Sequence, residues 1–186
     1  MDSDAVCYEE FTEVALSYLN QLYSASRRLS ANPADADDLV QETYQLAFQH
    51  YRDLHSLAHC RPWLYRILHR QASTRYRRER SGPQLVLVDG GAENGDFAPP
   101  ETPLDQDVLE RISVQEIRRV IESLPADLRV AVTLCDIEGF TYAEIADITG
   151  TPVGTVRSRI ARARAKLMNK LRTHAEDCGI IRRRAT

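Results

Sequence analysis

Seven basic side chains fall between Thr151 and Arg172 with no acid among them: Arg157, Arg159, Arg162, Arg164, Lys166, Lys170 and Arg172. Guanidinium and ammonium groups at this density are suited to holding phosphate oxygens. At 100° per residue Arg159, Arg162, Lys166 and Lys170 lie on one flank of a helix, with Thr155 near its start, while Arg157 and Arg164 lie on the other. Between the flanks Val153, Val156, Ile160, Ala163, Leu167 and Leu171 recur as one apolar stripe. Opposite the stripe stand three small residues, Ser158, Ala161 and Ala165. A helix with cationic flanks and a low outer ridge fits the B-DNA major groove, whose walls are phosphates. A second run, Arg61 to Arg80, holds seven arginines against the single acid Glu79, with Tyr65 and Tyr76 among them. Arginine beside an exposed aromatic suits a surface that tracks a single strand and stacks its bases. Trp63, flanked by Leu64 and Ile67, reads first as core and second as a stacking platform.

Other chemistries find no support in the residues. His59-Cys60 supplies two metal ligands with no second pair, so an ordinary thiol is expected, with no metal and no cofactor. Cys7, Cys60, Cys135 and Cys178 are far apart and contain no C-x-x-C, which points to reduced thiols and a cytoplasmic protein. No Gly-rich phosphate loop, H-E-x-x-H or nucleophile elbow is present, so no enzyme is expected. No apolar run is long enough to span a membrane, and Met1 to Glu10 is too acidic and polar for a signal peptide; no membrane insertion is expected. The formal net charge is −3, so the nucleic-acid signal lies in the distribution of charge and not in its total.

Helices must position these groups. Tyr8, Phe11, Ala15, Tyr18, Leu22 and Ala25 share one face of a helix over residues 7–29. Asn32 and Pro33 start a second over 33–51, with Leu39, Thr43, Ala47 and Phe48 inward and Asp35, Asp38, Gln41, Glu42 and Gln45 outward. Solubility alone accounts for that acidic face. Residues 52–61 read as a loop, and Pro62 opens the arginine-rich helix. Residues 81–106 hold half of the chain's eight glycines and half of its eight prolines, and Asp89 to Asp107 carries six acids and no base. That composition is a linker. Helix returns at 107–124 and again from Pro125 to Gly139. Thr141 and Glu144 form a capping box for a short helix that buries Tyr142, Ile145 and Ile148 and ends at Gly150. Thr151 and Pro152 then start the basic helix. A short helix, a tight turn and a long basic helix make a helix-turn-helix. The expected fold is all-α: a domain over 1–80, a flexible acidic linker over 81–106, a second small helical domain over 107–175 containing the helix-turn-helix, and a frayed tail over 176–186.

DADDLVQETYQLAFQHY, then WLYRIL with its basic run, then the linker, then LPADLRVAVTLCDIEGFTYAEIADITGTPVGTVRSRIARARAKL, resembles an extracytoplasmic-function (ECF, group IV) sigma factor of bacterial RNA polymerase over about residues 7–173. NPADADDLVQETY and the TPVGTVRSR turn resemble most the redox-responsive branch held by zinc-containing anti-sigma factors. The resemblance implies a non-catalytic factor that directs core polymerase to promoters. It implies that Asp35, Asp38, Leu39, Gln41, Glu42 and Gln45 dock on the β′ clamp, and that the second domain sits on the β flap. It places His59, Arg61, Trp63, Arg66, Arg70, Arg75, Arg77 and Arg78 at the −10 element of promoter DNA. Thr155, Arg157, Ser158, Arg159, Arg162 and Lys166 would meet the −35 element, and an anti-sigma factor would be a partner. The loop LHSLAHCR departs from that branch in lacking the Gly and Asn usual there. The other reading is a free-standing helix-turn-helix regulator with an N-terminal sensing domain.

Overall fold

The computed structural model describes residues 7–30, 33–80 and 112–181, with the side chains of residue 33 and residues 77–80 left undescribed. Every regular element among them is helical: α1 (Tyr8–Ser17), α2 (Leu19–Leu29), α3 (Pro33–Gln49), α4 (Cys60–Arg80), α5 (Val114–Glu122), α6 (Ala126–Val132), α7 (Tyr142–Thr149) and α8 (Val153–Asp177). Short 3-10 turns at Tyr51–Asp53 and Leu57–His59 occupy the expected loop, and a π turn at Thr133–Ile137 extends α6. The chain forms two compact units. One contains residues 7–80 together with Phe140–Val153; the other contains 112–139 and 154–181.

The first unit is organised around Phe11, which is fully buried. Its ring meets Phe48 and Trp63 edge-on at 5.5 and 6.0 Å and stacks on Tyr51 at 5.6 Å. The expected first helix is divided: between α1 and α2 the Tyr18 amide donates to Ala15, three residues back, at 3.2 Å, and the apolar face still runs on through Leu22 and Ala25. Tyr8, placed on that face by periodicity, is half exposed at the helix start, with its ring edge-on to Tyr51. Helix α3 packs on α2 and α4. The Tyr44 hydroxyl donates to the Ala15 carbonyl at 2.7 Å, and burial pushes its phenol up to about 12. Helix α4 begins two residues before Pro62, at Cys60, because the first turn of a helix has no need of a donor from proline. Cys60 and Leu64 are fully buried.

Helix α7 also packs on α4. Phe140, just before it, is buried and lies edge-on to Tyr65 at 4.8 Å. Thr141 and Glu144 form the expected capping box. Gly150 closes the helix at φ 66°, a left-handed position that costs other residues strain. Ile145 and Ile148 are buried as expected; Tyr142 is only half-buried.

In the second unit Leu124, Leu128, Val132 and Ala163 form one apolar cluster, flanked by Leu167. Ile112, Leu171 and Ala175 form another, flanked by Ile180 and Ile181. Helix α8 therefore continues five residues beyond Arg172. The expected tail is not frayed through residue 181: Gly179 turns left-handed and the amides of Ile180 and Ile181 donate back to the Ala175 carbonyl. Two apolar side chains past a helix C-terminus are a reason to fold back, and no periodicity signals it. Residues 182–186, the expected linker 81–106, residues 107–111 of the expected 107–124 helix and Asn32 lie outside the described residues.

Candidate nucleic-acid interface

The basic run of α8 is sorted by its neighbours. Arg159, half-buried, places Nε 3.4 Å from the Asp127 carboxylate at the start of α6. Arg164 grips Asp136 in the π turn with Nε at 3.0 Å and Nη2 at 2.5 Å, and its guanidinium holds that carboxyl below its usual range. Lys170 donates to the Ser123 hydroxyl at 2.8 Å. These three cations brace the helix against the elements before it. Arg162 lies along the helix, with Nε 3.4 Å from the Ser158 carbonyl, and is half-buried, as are Thr155 and Lys166.

What the second unit turns outward near the start of α8 is Arg157, Ser158 and Ala161, all exposed. The expected small ridge is thus correct at Ser158 and Ala161 and wrong at Ala165, which is 7% exposed and belongs to the core. Val153 leaves the apolar stripe at the other extreme, 42% exposed, because it is the first helical residue and nothing precedes it on that face. Val156, Ile160 and Ala163 are buried as the stripe requires.

Helix α4 shows the same sorting. Arg66 and Arg70 are exposed, and at 100° per residue they share a face with Trp63. Arg61 and Arg75 fall on the opposite, inward side. Arg61 donates through Nε to Gln21 at 3.1 Å and lies over the Phe140 ring at 4.1 Å. Arg75 binds Glu42 at 2.6 Å and donates to the Asp35 carbonyl at 3.2 Å, so it ties α4 to α3. Trp63 is half-buried against Phe11. Tyr65 is not an exposed aromatic among arginines: it is 1% exposed, inside the unit. Tyr76 is 37% exposed. His59 is exposed on the turn before α4. The side chains of Arg77 and Arg78 lie outside the described residues.

On α3, Asp38, Gln41 and Gln45 are exposed and Asp35 and Glu42 half-buried, whereas Leu39 is 1% exposed and packs inward. Only the resemblance places Leu39 with the acidic face; its own periodicity puts it in the core, and the core is where it lies. Periodicity could not have identified Asp127, Asp136 or Gln21 as the partners of the basic residues, because the pairs are 28 to 40 positions apart. Among the described residues no group of three or more His, Cys, Asp or Glu side chains is arranged to hold a metal ion, and no helix is long and apolar enough to cross a membrane.

Two family models match the chain: sigma-70 region 2 over residues 14–82 and sigma-70 region 4 over residues 114–167. The chain is 31% identical over 175 residues to the ECF RNA polymerase sigma factor SigE of Mycolicibacterium smegmatis, covering 94% of this chain and 66% of that protein. It is 36% identical over 151 residues to the ECF RNA polymerase sigma-E factor of Haemophilus influenzae, covering 78% of each. Among solved structures it is similar to the sigma factor RpoE in complex with the anti-sigma factor NepR from Bartonella quintana. There the TM-score is 0.67 and the identity 26%, over 89% of this chain and 98% of that one. Matches to both regions favour a sigma factor over a free-standing regulator. An arginine-bearing helix α4 within region 2 and a capped helix-turn-helix within region 4 accord with these likenesses, and the chain belongs to the ECF group of the sigma-70 family: a non-catalytic factor for promoter-specific initiation by RNA polymerase.

Proposed function

We propose that the exposed ridge of α8 enters the major groove at the −35 element, with Arg157 and Ser158 nearest the bases. The observation that carries this reading is the sorting of the basic run: Arg159, Arg164 and Lys170 brace the fold, while Arg157, Ser158 and Ala161 stand outward. Recognition helices present their N-terminal turns to base edges. Thr155, Arg162 and Lys166, half-buried beside the ridge, serve the phosphate walls, and Arg159 serves as a brace.

The −10 element meets the exposed His59 and the outward arginines Arg66 and Arg70 around the start and middle of α4. Arg61 and Arg75 hold that helix in place, and Trp63 does so from its partly buried position. The acidic surface of α3, reduced to Asp38, Gln41 and Gln45 with the outer side of Asp35 and Glu42, docks on the β′ clamp, and region 4 sits on the β flap. An anti-sigma factor as partner is supported by the similar Bartonella protein, whose structure is of such a complex. NPADADDLVQETY and TPVGTVRSR support placing that partner among the zinc-containing redox class, and the absence of paired cysteine motifs supports a cytoplasmic setting.

The test is promoter binding by holoenzyme reconstituted with Ala161→Glu. Glutamate is a good helix former and position 161 is exposed, so the fold persists by circular dichroism. Bulk and negative charge then stand where the groove floor would be, and affinity for a cognate −35 element falls at least tenfold. Wild-type affinity from a folded variant would show that this face does not meet DNA.

A further inference from the structure

A nucleophile, a base and a carboxylate come together at the far end of α8, away from Arg157 and Ser158. The Cys178 sulfur is exposed and lies 3.5 Å from Nε2 of His174, one helical turn earlier. The sulfur lies beside the ring, 3.9 Å from Nδ1 as well, and Nδ1 is 3.5 Å from a carboxylate oxygen of Glu116 on α5, which leaves Nε2 as the nitrogen open to take the thiol proton. The other Glu116 oxygen accepts from Arg119 Nη1 at 3.2 Å, so the carboxylate is itself held. The backbone under the thiol is also fixed. The Cys178 amide donates to the His174 carbonyl at 2.9 Å, and the fold-back of Ile180 and Ile181 onto Ala175 closes the turn behind it. Thiol, imidazole and an orienting carboxylate in that order form the arrangement that activates a cysteine nucleophile. Of the other described thiols, Cys7 is exposed as well, while Cys60 and Cys135 differ. Burial raises the Cys60 thiol to about 11 and raises that of Cys135, which keeps both protonated.

We propose that Cys178 is a site of oxidation by hydroperoxides, with His174 as its proton carrier and Glu116 as the residue that positions the ring. As the sulfur attacks the terminal peroxide oxygen its proton passes to Nε2. An S–O bond forms and the O–O bond breaks. The leaving alkoxide, or hydroxide when the oxidant is hydrogen peroxide, takes the proton back from the imidazolium. The thiol is oxidised by two electrons to a sulfenic acid, and the hydroperoxide is reduced to an alcohol or water.

The experiment treats the full chain with tert-butyl hydroperoxide at neutral pH, traps sulfenic acid with dimedone, and resolves Cys178 from Cys7 by peptide mass analysis. Cys7, exposed at the head of α1, is the internal reference. We expect His174→Gln to slow labelling of Cys178 by about tenfold or more, Glu116→Gln to slow it less, and neither to change Cys7. Alkylation of Cys178 by iodoacetamide, whose iodide leaves without a proton, falls less than oxidation in His174→Gln; a role confined to packing would move both reactions alike. Equal oxidation of Cys178 in wild type and a folded His174→Gln overturns the proposal. If that variant does not fold, wild-type oxidation in Glu116→Gln overturns it.

Discussion

The side chains that pull the basic helices into place are mostly exposed or half-exposed, so each is worth little in water and matters through geometry. Arg75 shows the difference between reach and role. It is tied to Glu42 and to a carbonyl of α3, so Arg75→Ala should cost roughly 1–2 kcal/mol of stability in urea denaturation. Arg66→Ala and Arg70→Ala should leave stability within about 0.5 kcal/mol and weaken holoenzyme binding to −10 DNA, because both guanidiniums face solvent. Asp136 gives the pH counterpart. Hydrogen bonds from Arg164 hold its carboxyl below the usual 3.8, so the pair stabilises the fold above that value and the contribution is lost as pH falls through the lowered one. The stability gap between wild type and Asp136→Asn should be constant near neutrality and shrink below about pH 4. None of these pairings shows in spacing. The sequence marks Arg61, Arg66, Arg70 and Arg75 alike as basic positions, and only the side of α4 that packs decides which are structural.

At the scale of the element, short-range signals carry most of the information. Thr141 and Glu144 satisfy one another's backbone groups, and the Thr141 amide is the chief reason the Glu144 carboxyl is held below its usual range. Thr141→Ala should cost about 1 kcal/mol, measured by chemical denaturation. Gly150→Ala should cost a similar 1–2 kcal/mol from backbone strain alone, since an added Cβ would meet nothing within 4 Å. The capping box and the left-handed glycine were legible because they act over three or four residues. The break at Tyr18 and the π turn at Thr133–Ile137 were not, since neither is marked by a cap, a glycine or a proline at that point in the chain.

Sigma-70 regions 2 and 4 match successive stretches of the chain, residues 14–82 and 114–167. The stretch from Ser81 to Gln106 has the composition of a connector, and limited proteolysis should cut there first, leaving two helical fragments on a gel. A first cut between Pro125 and Leu171 would show that the connector lies elsewhere. Phe11 should be the residue on which the first unit depends most. It touches three aromatic rings and is fully buried, so Phe11→Ala should cost about 3–5 kcal/mol in thermal or urea unfolding.

The sequence by itself determined the helical class, the two family regions, the caps and the apolar stripe through Val156, Ile160 and Ala163, because periodicity and capping are local and repeat every turn. It also marked where cationic side chains concentrate. Only the tertiary structure decided which of them face outward. Arg159 and Arg164 meet acids 32 and 28 residues earlier in the chain, Ala165 and Leu39 turn into cores, and Ile180 and Ile181 fold back onto Ala175. A charge run specifies what a surface is made of. Its partners are chosen by packing between helices distant in sequence, where neither period nor spacing carries information.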